Sequence, residues 1–387
     1  MKNEIGLNEL FFDLIQVSIG ERICLSRTPN EAEWGELYVM AKKQSLVGVC
    51  FAGVQKLSSA SYDNANDDPS TGSGQADNLS NTSNTSNLSE LQYLTWMGMA
   101  AKIQQRNEEV NRQCVDLQKR LSADGLRSAI LKGQGVASIY SEHLRGLRQS
   151  GDIDVWVEGG LDAVLQLADK YGVKTVVAEH HVDLPVFDTT DVEAHFIPSY
   201  LRCPWHNKRL QKWMAFENCV SKEKNKLGMV VPTTEFNLVF LMLHAYRHLT
   251  SEGVGLRQVM DYYFALLSSV DSQRRKAYNT LCELGVKRFC GAMMYVLQEV
   301  FGIKRKELLC EPDEKEGRYL LNEIMTGGNF GHYDNRVKVA ANETKMTRFI
   351  RQTKRNVHQL THYPTEAFFS PWWRAKIWVW RKWNGWI

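Results

Sequence analysis

No stretch of this 387-residue sequence stays apolar over the roughly 18–20 residues needed to cross a bilayer, so no membrane-spanning helix is expected. The N-terminus lacks a basic stretch followed by a long apolar run, and no secretory signal is expected either. Both absences lead to the expectation of a cytoplasmic protein. The eight cysteines (Cys24, Cys50, Cys114, Cys203, Cys219, Cys282, Cys290 and Cys310) never fall in a CxxC pair. That excludes zinc-ribbon and thioredoxin-like spacings and leaves reduced, mostly buried thiols as the expectation. A net charge of +3 is too small to mark a nucleic-acid binder. The phosphate-binding spacing GxxxxGK[ST] is missing, as is HExxH, and there is no internal repeat. With 43% hydrophobic and 24% charged residues, the chain can still bury a substantial core.

Leu7, Leu10, Phe11, Leu14 and Ile15 recur at helical spacing and predict an amphipathic helix over residues 7–19. Residues 31–57 form a second helical region. From Ser58 to Ser89 the composition turns to Ser, Asn, Asp, Thr and Gly, which cannot offset the entropy of ordering, so a flexible loop is expected there. Helical periodicity returns over 90–122. Then strands and helices alternate: strands at Ala129–Leu131 and Asp152–Val157, a helix over Leu161–Tyr171, and strands at Lys174–Ala178, Leu184–Phe187 and Asp191–Ile197. This order predicts an α/β (α+β) core with a mixed sheet over residues 123–231, flanked by helical regions at 1–122 and 232–330. The second of these opens after Pro232, with Thr233 or Thr234 as N-cap. A basic, tryptophan-rich tail covers 331–387.

Asp152 and Asp154 are two apart on a predicted strand, so their carboxylates share a face and need a neutralising partner; a hard cation would serve. Val192-Glu193-Ala194-His195-Phe196 alternates in the same way, with Glu193 and His195 on one side. If the two strands are neighbours, Asp152, Asp154 and Glu193 converge in a site suited to Mg²⁺ (or Mn²⁺) and the phosphates of a nucleotide. A DxD pair alone is common, exposed aspartates are ordinarily just solvated, and a single histidine such as His195 is ordinarily a structural hydrogen-bonder. The weight comes from context. Leu131-Lys132-Gly133-Gln134-Gly135 ends a strand and opens a helix some twenty residues upstream, where glycine permits close backbone approach to phosphate. Arg145 and Arg148 precede the aspartates, where a guanidinium could clamp a triphosphate or simply be solvated.

Together these residues resemble the nucleotidyltransferase superfamily (the polymerase beta-like group), specifically its uncharacterised bacterial nucleotidyltransferases. The resemblance rests on Leu131-Lys132-Gly133, on Arg148-Gln149-Ser150-Gly151-Asp152-Ile153-Asp154-Val155, on Glu179-His180-His181, on Val192-Glu193-Ala194-His195 and on the segment Leu241–His248 with Gly255–Asp261. It implies that Asp152, Asp154 and Glu193 bind divalent metal and that Glu193 helps deprotonate an acceptor hydroxyl. It also implies that Lys132, Gly133, Arg148 and Ser150 contact an NTP, and that a nucleoside monophosphate passes to a hydroxyl acceptor with release of pyrophosphate. Gln134 departs from the superfamily's Gly-Ser or Gly-Gly, which shifts phosphate contacts to Lys132, Arg148 or backbone amides. Loss of activity also occurs in the superfamily, so a non-catalytic nucleotide or ligand sensor on the same fold is the rival reading.

His244 and His248 share a helix face and suit packing against the sheet, or contact with nucleotide, better than a zinc site, which needs more ligands. Arg257 and Asp261, also four apart, are expected to pair across a turn. The final 43 residues hold nine Lys or Arg, one acidic residue and six of the eleven tryptophans. Such a tail can pack on the protein's own helices, lie on a membrane surface as a peripheral scaffold, or stack single-stranded bases, the last being least favoured.

Overall fold

The computed structural model describes residues 6–63, 84–173, 177–334, 336, 347, 353 and 357–386. Most of the expected Ser/Asn loop therefore lies outside the described residues, as do residues 174–176 of one expected strand. Helix α1 (Leu7–Ile19) buries Leu10, Phe11, Leu14 and Ile15, the stripe its periodicity requires, and stops at Gly20 with φ 88°. The region 31–57 is two helices, α2 (Glu31–Lys43) and α3 (Val47–Asp63). At the start of α2 the side chain of Asn30 accepts from the Glu33 N–H while Glu33 reaches back, forming a capping box. Helix α4 (Glu90–Ala123) has 34 residues, about 51 Å at 1.5 Å per residue.

Four short strands make the sheet: β1 (Ser128–Ile130), β2 (Ile153–Val157), β3 (His181–Leu184) and β4 (Val192–His195). Their order is β1-β2-β4-β3. The outer pairs are antiparallel and the central pair β2/β4 is parallel, so the sheet is mixed. Between β1 and β2 lie the short helices α5 (Lys132–Ala137) and α6 (Glu142–Arg145), and α7 (Gly160–Lys170) follows β2. One face carries Ile153, Val155, Val182, Leu184, Val192 and Ala194, packed on α4 and α7. The strand expected at Leu184–Phe187 instead runs over His181–Leu184. Pro185 follows and cannot donate to a ladder, which ends the strand there. Val177 makes a single bridge to Val182.

Two features were not expected. One is α8 (Pro204–Trp213), which starts with proline at its first turn. The other, after the short α9 (Phe216–Cys219), is an antiparallel pair of β5 (Val220–Lys224) and β6 (Val230–Pro232). Helices α10 (Thr234–Ser251), α11 (Leu256–Leu267), α12 (Asp271–Glu283), α13 (Lys287–Phe301) and α14 (Glu314–Gly327) follow. Thr233 caps α10 by accepting from the Phe236 N–H. These helices share one apolar core with α1–α3 and the first half of α4, whose second half lines the sheet's core. A last helix, Pro364–Trp383, lies along the outside.

Candidate active site

The site grows from the face of the sheet that does not pack on α4 and α7. Strand alternation puts Asp154 and Trp156 of β2 on that face, with Glu193 and His195 of β4 and His181 and Asp183 of β3. Register aligns them. Asp154 is paired with Glu193 and Trp156 with His195 across β2/β4, while Glu193 faces Asp183 and His195 faces His181 across β4/β3. A row of three carboxylates thus runs across the sheet, with two imidazoles in the next row.

At the end of β1 the Leu131 N–H donates to the Asp154 carbonyl at 2.8 Å. The next two residues, Lys132 and Gly133, both have positive φ, 36° and 34°. This is an uncommon conformation for lysine, and it turns the chain sharply into α5. The turn leaves Lys132 Nζ 2.7 Å from Asp154 Oδ1. Gly135 must be glycine, because a Cβ there would lie 2.3 Å from the Ile130 carbonyl oxygen. His195 Nε2 lies 2.8 Å from the same Asp154 oxygen and 3.3 Å from Glu193 Oε2, and His181 Nδ1 is also 3.3 Å from Glu193 Oε2.

The electrostatics follow from burial against these contacts. Burial alone would push the Lys132 ammonium down, but the charges of Asp154, Asp152 and Glu193 outweigh it and raise it. Likewise, burial opposes the charged form of His195, and its bonds to Asp154 and Glu193 lift it above the usual imidazole value. Burial would raise the Glu193 carboxyl; the His195 bond and the Lys132 charge instead hold it at about 2. His181 is lowered to about 4, first by burial and then by the neighbouring His195. His180 is driven well below the usual value by burial and by Arg247, whose Nη1 sits 2.9 Å from His180 Nε2.

The expected set is brought together in part. Among the described residues, Asp154, Glu193 and His195 offer ligand atoms within 4.8 Å of one another, as do His180 with His181 and His195, and His181 with Asp183 and Glu193. Asp152 belongs to none of these groups. It precedes the first residue of β2 and is exposed at the lip of the site, though its charge still helps to raise Lys132. Arg148 is not at the carboxylates. It is buried with its guanidinium fork on Asp261, Nε–Oδ1 and Nη2–Oδ2 both 2.7 Å, and Tyr140 donates to the same Asp261 at 2.7 Å. Asp261 therefore pairs with Arg148 and not with Arg257, its expected partner one turn away. Arg257 Nη1 donates to the Gln149 carbonyl at 2.9 Å, its Nε has no partner, and burial with the nearby Arg148 charge brings it down to about 10.

The buried Ser150 hydroxyl also lacks a hydrogen-bond partner, as do the Nδ1 atoms of His244 and His248. Both of these imidazoles are lowered, first by burial and then by nearby positive charge, and they pack edge-on against each other on α10 with ring centroids 4.3 Å apart. Arg145 is turned away and donates weakly to the Tyr140 carbonyl at 3.4 Å. His181, Asp183, Arg247 and the free edge of Arg257 were not singled out from sequence as site groups. For Asp183 the usable signal is the alternation His181-Val182-Asp183-Leu184, which mirrors Glu193–Phe196.

The mixed sheet thus presents carboxylates, a lysine and imidazoles on one face, with the Ser150 hydroxyl and the Arg257 Nε left without hydrogen-bond partners. Residues 30–302 match the family described as uncharacterised nucleotidyltransferase, and the chain belongs to that family. The matched span contains every site residue named above. A solved structure of an antigenic nucleotidyltransferase-like protein from Paracoccidioides brasiliensis is 12% identical, over 47% of this chain and 89% of that one, with a TM-score of 0.32. No curated protein matches the chain.

Proposed function

We propose that this protein transfers a nucleoside monophosphate from an NTP to a hydroxyl acceptor. The observation that carries the reading is the convergence of Lys132 and His195 on Asp154, in register beside Glu193, within the span matched to the family. The acceptor oxygen bonds to the α-phosphorus, the bond from that phosphorus to the β-bridging oxygen breaks, and pyrophosphate leaves. Glu193 takes the proton of the acceptor hydroxyl. Lys132 holds charge that develops on the leaving pyrophosphate, and Ser150 and Arg257 supply unpartnered donors to phosphate oxygens.

The donor set of Asp154, Glu193 and His195 fits a divalent cation: two carboxylates and an imidazole within 4.8 Å, now neutralised by an ammonium. One nitrogen among oxygens suits Mn²⁺ at least as well as Mg²⁺. Such an ion would neutralise charge on the triphosphate. Asp154, Glu193 and His195 would hold it.

The test is pyrophosphate release from each NTP, with Mg²⁺ or Mn²⁺ and a cell extract as the source of acceptor. We expect release with at least one NTP and label transferred to an acceptor. Asp154→Asn should reduce the rate on the order of 10²–10³-fold. Nucleotide binding with no turnover under any of these conditions would replace the proposal with the sensor reading.

A further inference from the structure

The C-terminal helix has two faces. Its inner face is committed to the protein: Ala367, Ser370 and Ile377 are buried, Trp373 stacks on Tyr200 with ring centroids 4.9 Å apart, and Arg381 lies 3.5 Å from Glu179. Its outer face is apolar and uncovered. Phe368, Trp372, Val379 and Trp383 are 60, 70, 54 and 88% exposed. They fall within roughly 60° of arc and extend about 22 Å along the helix. Lys376 and Lys382 flank this stripe, each with its ammonium near a tryptophan ring, Trp373 and Trp378 respectively.

A second element extends the surface. Trp205 of α8 is 53% exposed and meets Phe369 edge-on at 5.0 Å. Lys208, Arg209 and Lys212 stand exposed on the same face of α8 as Trp205. The two helices contain one acidic residue between them, Glu366. It is buried and accepts from the Arg202 and Cys203 N–H groups at the start of α8, fastening the helices together. The outward surface of both is therefore aromatic and cationic, with no carboxylate on either helix facing out.

We propose that this surface docks on an anionic lipid membrane, with the C-terminal helix lying in the interface. No helix among the described residues is long and apolar enough to cross a membrane, so the attachment is peripheral. Exposed tryptophans on one helical stripe, edged by lysines, match the headgroup boundary of a bilayer. Single-stranded bases call for a groove that tracks a backbone, whereas the stripe from Phe368 to Trp383 lies along the outward side of one helix. A second copy of the chain, packed on this stripe about a twofold axis, would bring basic margins against basic margins. This inference concerns attachment and stands apart from the chemistry of the sheet.

The full chain is pelleted with phosphatidylcholine vesicles, with and without phosphatidylglycerol. We expect co-sedimentation only with the anionic vesicles, weakening as salt rises. Phe368→Ser, Trp372→Ser and Trp383→Ser together should weaken binding by about tenfold or more, with the thermal melting midpoint unchanged because the side chains face solvent. The charge reversal Lys376→Glu with Lys382→Glu should weaken it without touching the aromatic stripe. Wild-type protein left in the supernatant with anionic vesicles overturns the proposal, as does a pair of variants that bind like wild type. A single-stranded oligonucleotide that binds through the same residues, with no vesicle binding, assigns the surface to nucleic acid and overturns it too.

Discussion

Asp154 holds two charged partners at hydrogen-bond distance, and its neighbour two residues earlier holds neither of them. Asp154 is 2% exposed and meets both Lys132 and His195, whereas Asp152 sits at the lip facing solvent. The two aspartates of the DxD pair are thus unequal, and their substitutions should be unequal as well. Asp152→Asn is expected to lower turnover only about 10-fold, in the range of residues that act from outside an immediate ligand shell. Steady-state pyrophosphate release of the two single variants, measured side by side, checks this; equal losses would restore Asp152 to the centre. Arg148 makes a different kind of prediction. Its fork on Asp261 is buried on both sides, with side chains 5% exposed. Breaking a buried pair from one partner costs about 3–5 kcal/mol. Arg148→Ala should therefore lower the urea midpoint strongly while leaving nucleotide affinity of the folded fraction near wild type. Lost affinity at unchanged stability would return Arg148 to the phosphates, where its sequence position placed it.

At the scale of elements, much was legible in the sequence because periodicity and capping are local. Leu10, Phe11, Leu14 and Ile15 mark α1 by themselves, and Thr233 before a long apolar run marks the start of α10. The adjacency of β2 and β4 was conditional in the sequence: alternation showed which side chains share a face, while pairing depends on a crossover through α7 and β3 that no local pattern fixes. The hairpin of β5 and β6 escaped notice because Val220-Ser-Lys-Glu-Lys is short and charged, and its stability comes from tertiary contacts such as the Gln118 side chain bonding Val230. Partner choice is illegible for the same reason. Arg148 and Asp261 are 113 residues apart, and the nearer candidate, Arg257, was the natural local guess. The histidines show the limit most clearly. His180 and His181 lie some fourteen residues before His195 in the sequence, and only the fold packs the three rings together beside Asp154 and Glu193.

On the scale of the whole molecule, the helical regions on either side of the sheet segment form one body. Gln44 donates to the Ile324 carbonyl at 3.0 Å and accepts from the Leu256 N–H at 2.9 Å, joining residues more than 200 positions apart. Helix α4 passes from that body into the core of the sheet, and Arg148–Asp261 pins the approach to β2 onto α11. A cleft braced in this way behaves as a fixed vise with no jaw to swing, and this bears on how substrate arrives. Helix α4 runs unbroken between the two cores, so ligand would reach the sheet face without closure of the hinge kind, which would have to bend that helix. Small-angle scattering with and without saturating NTP and Mn²⁺ should therefore give the same radius of gyration; a contraction on binding would show that the brace yields. Rigidity of this kind shifts the burden of selection from motion to fit. Under the proposed reaction, an acceptor would be selected by its fit to the fixed face around Asp154 and Glu193, and one too bulky for it would be refused before any chemistry begins.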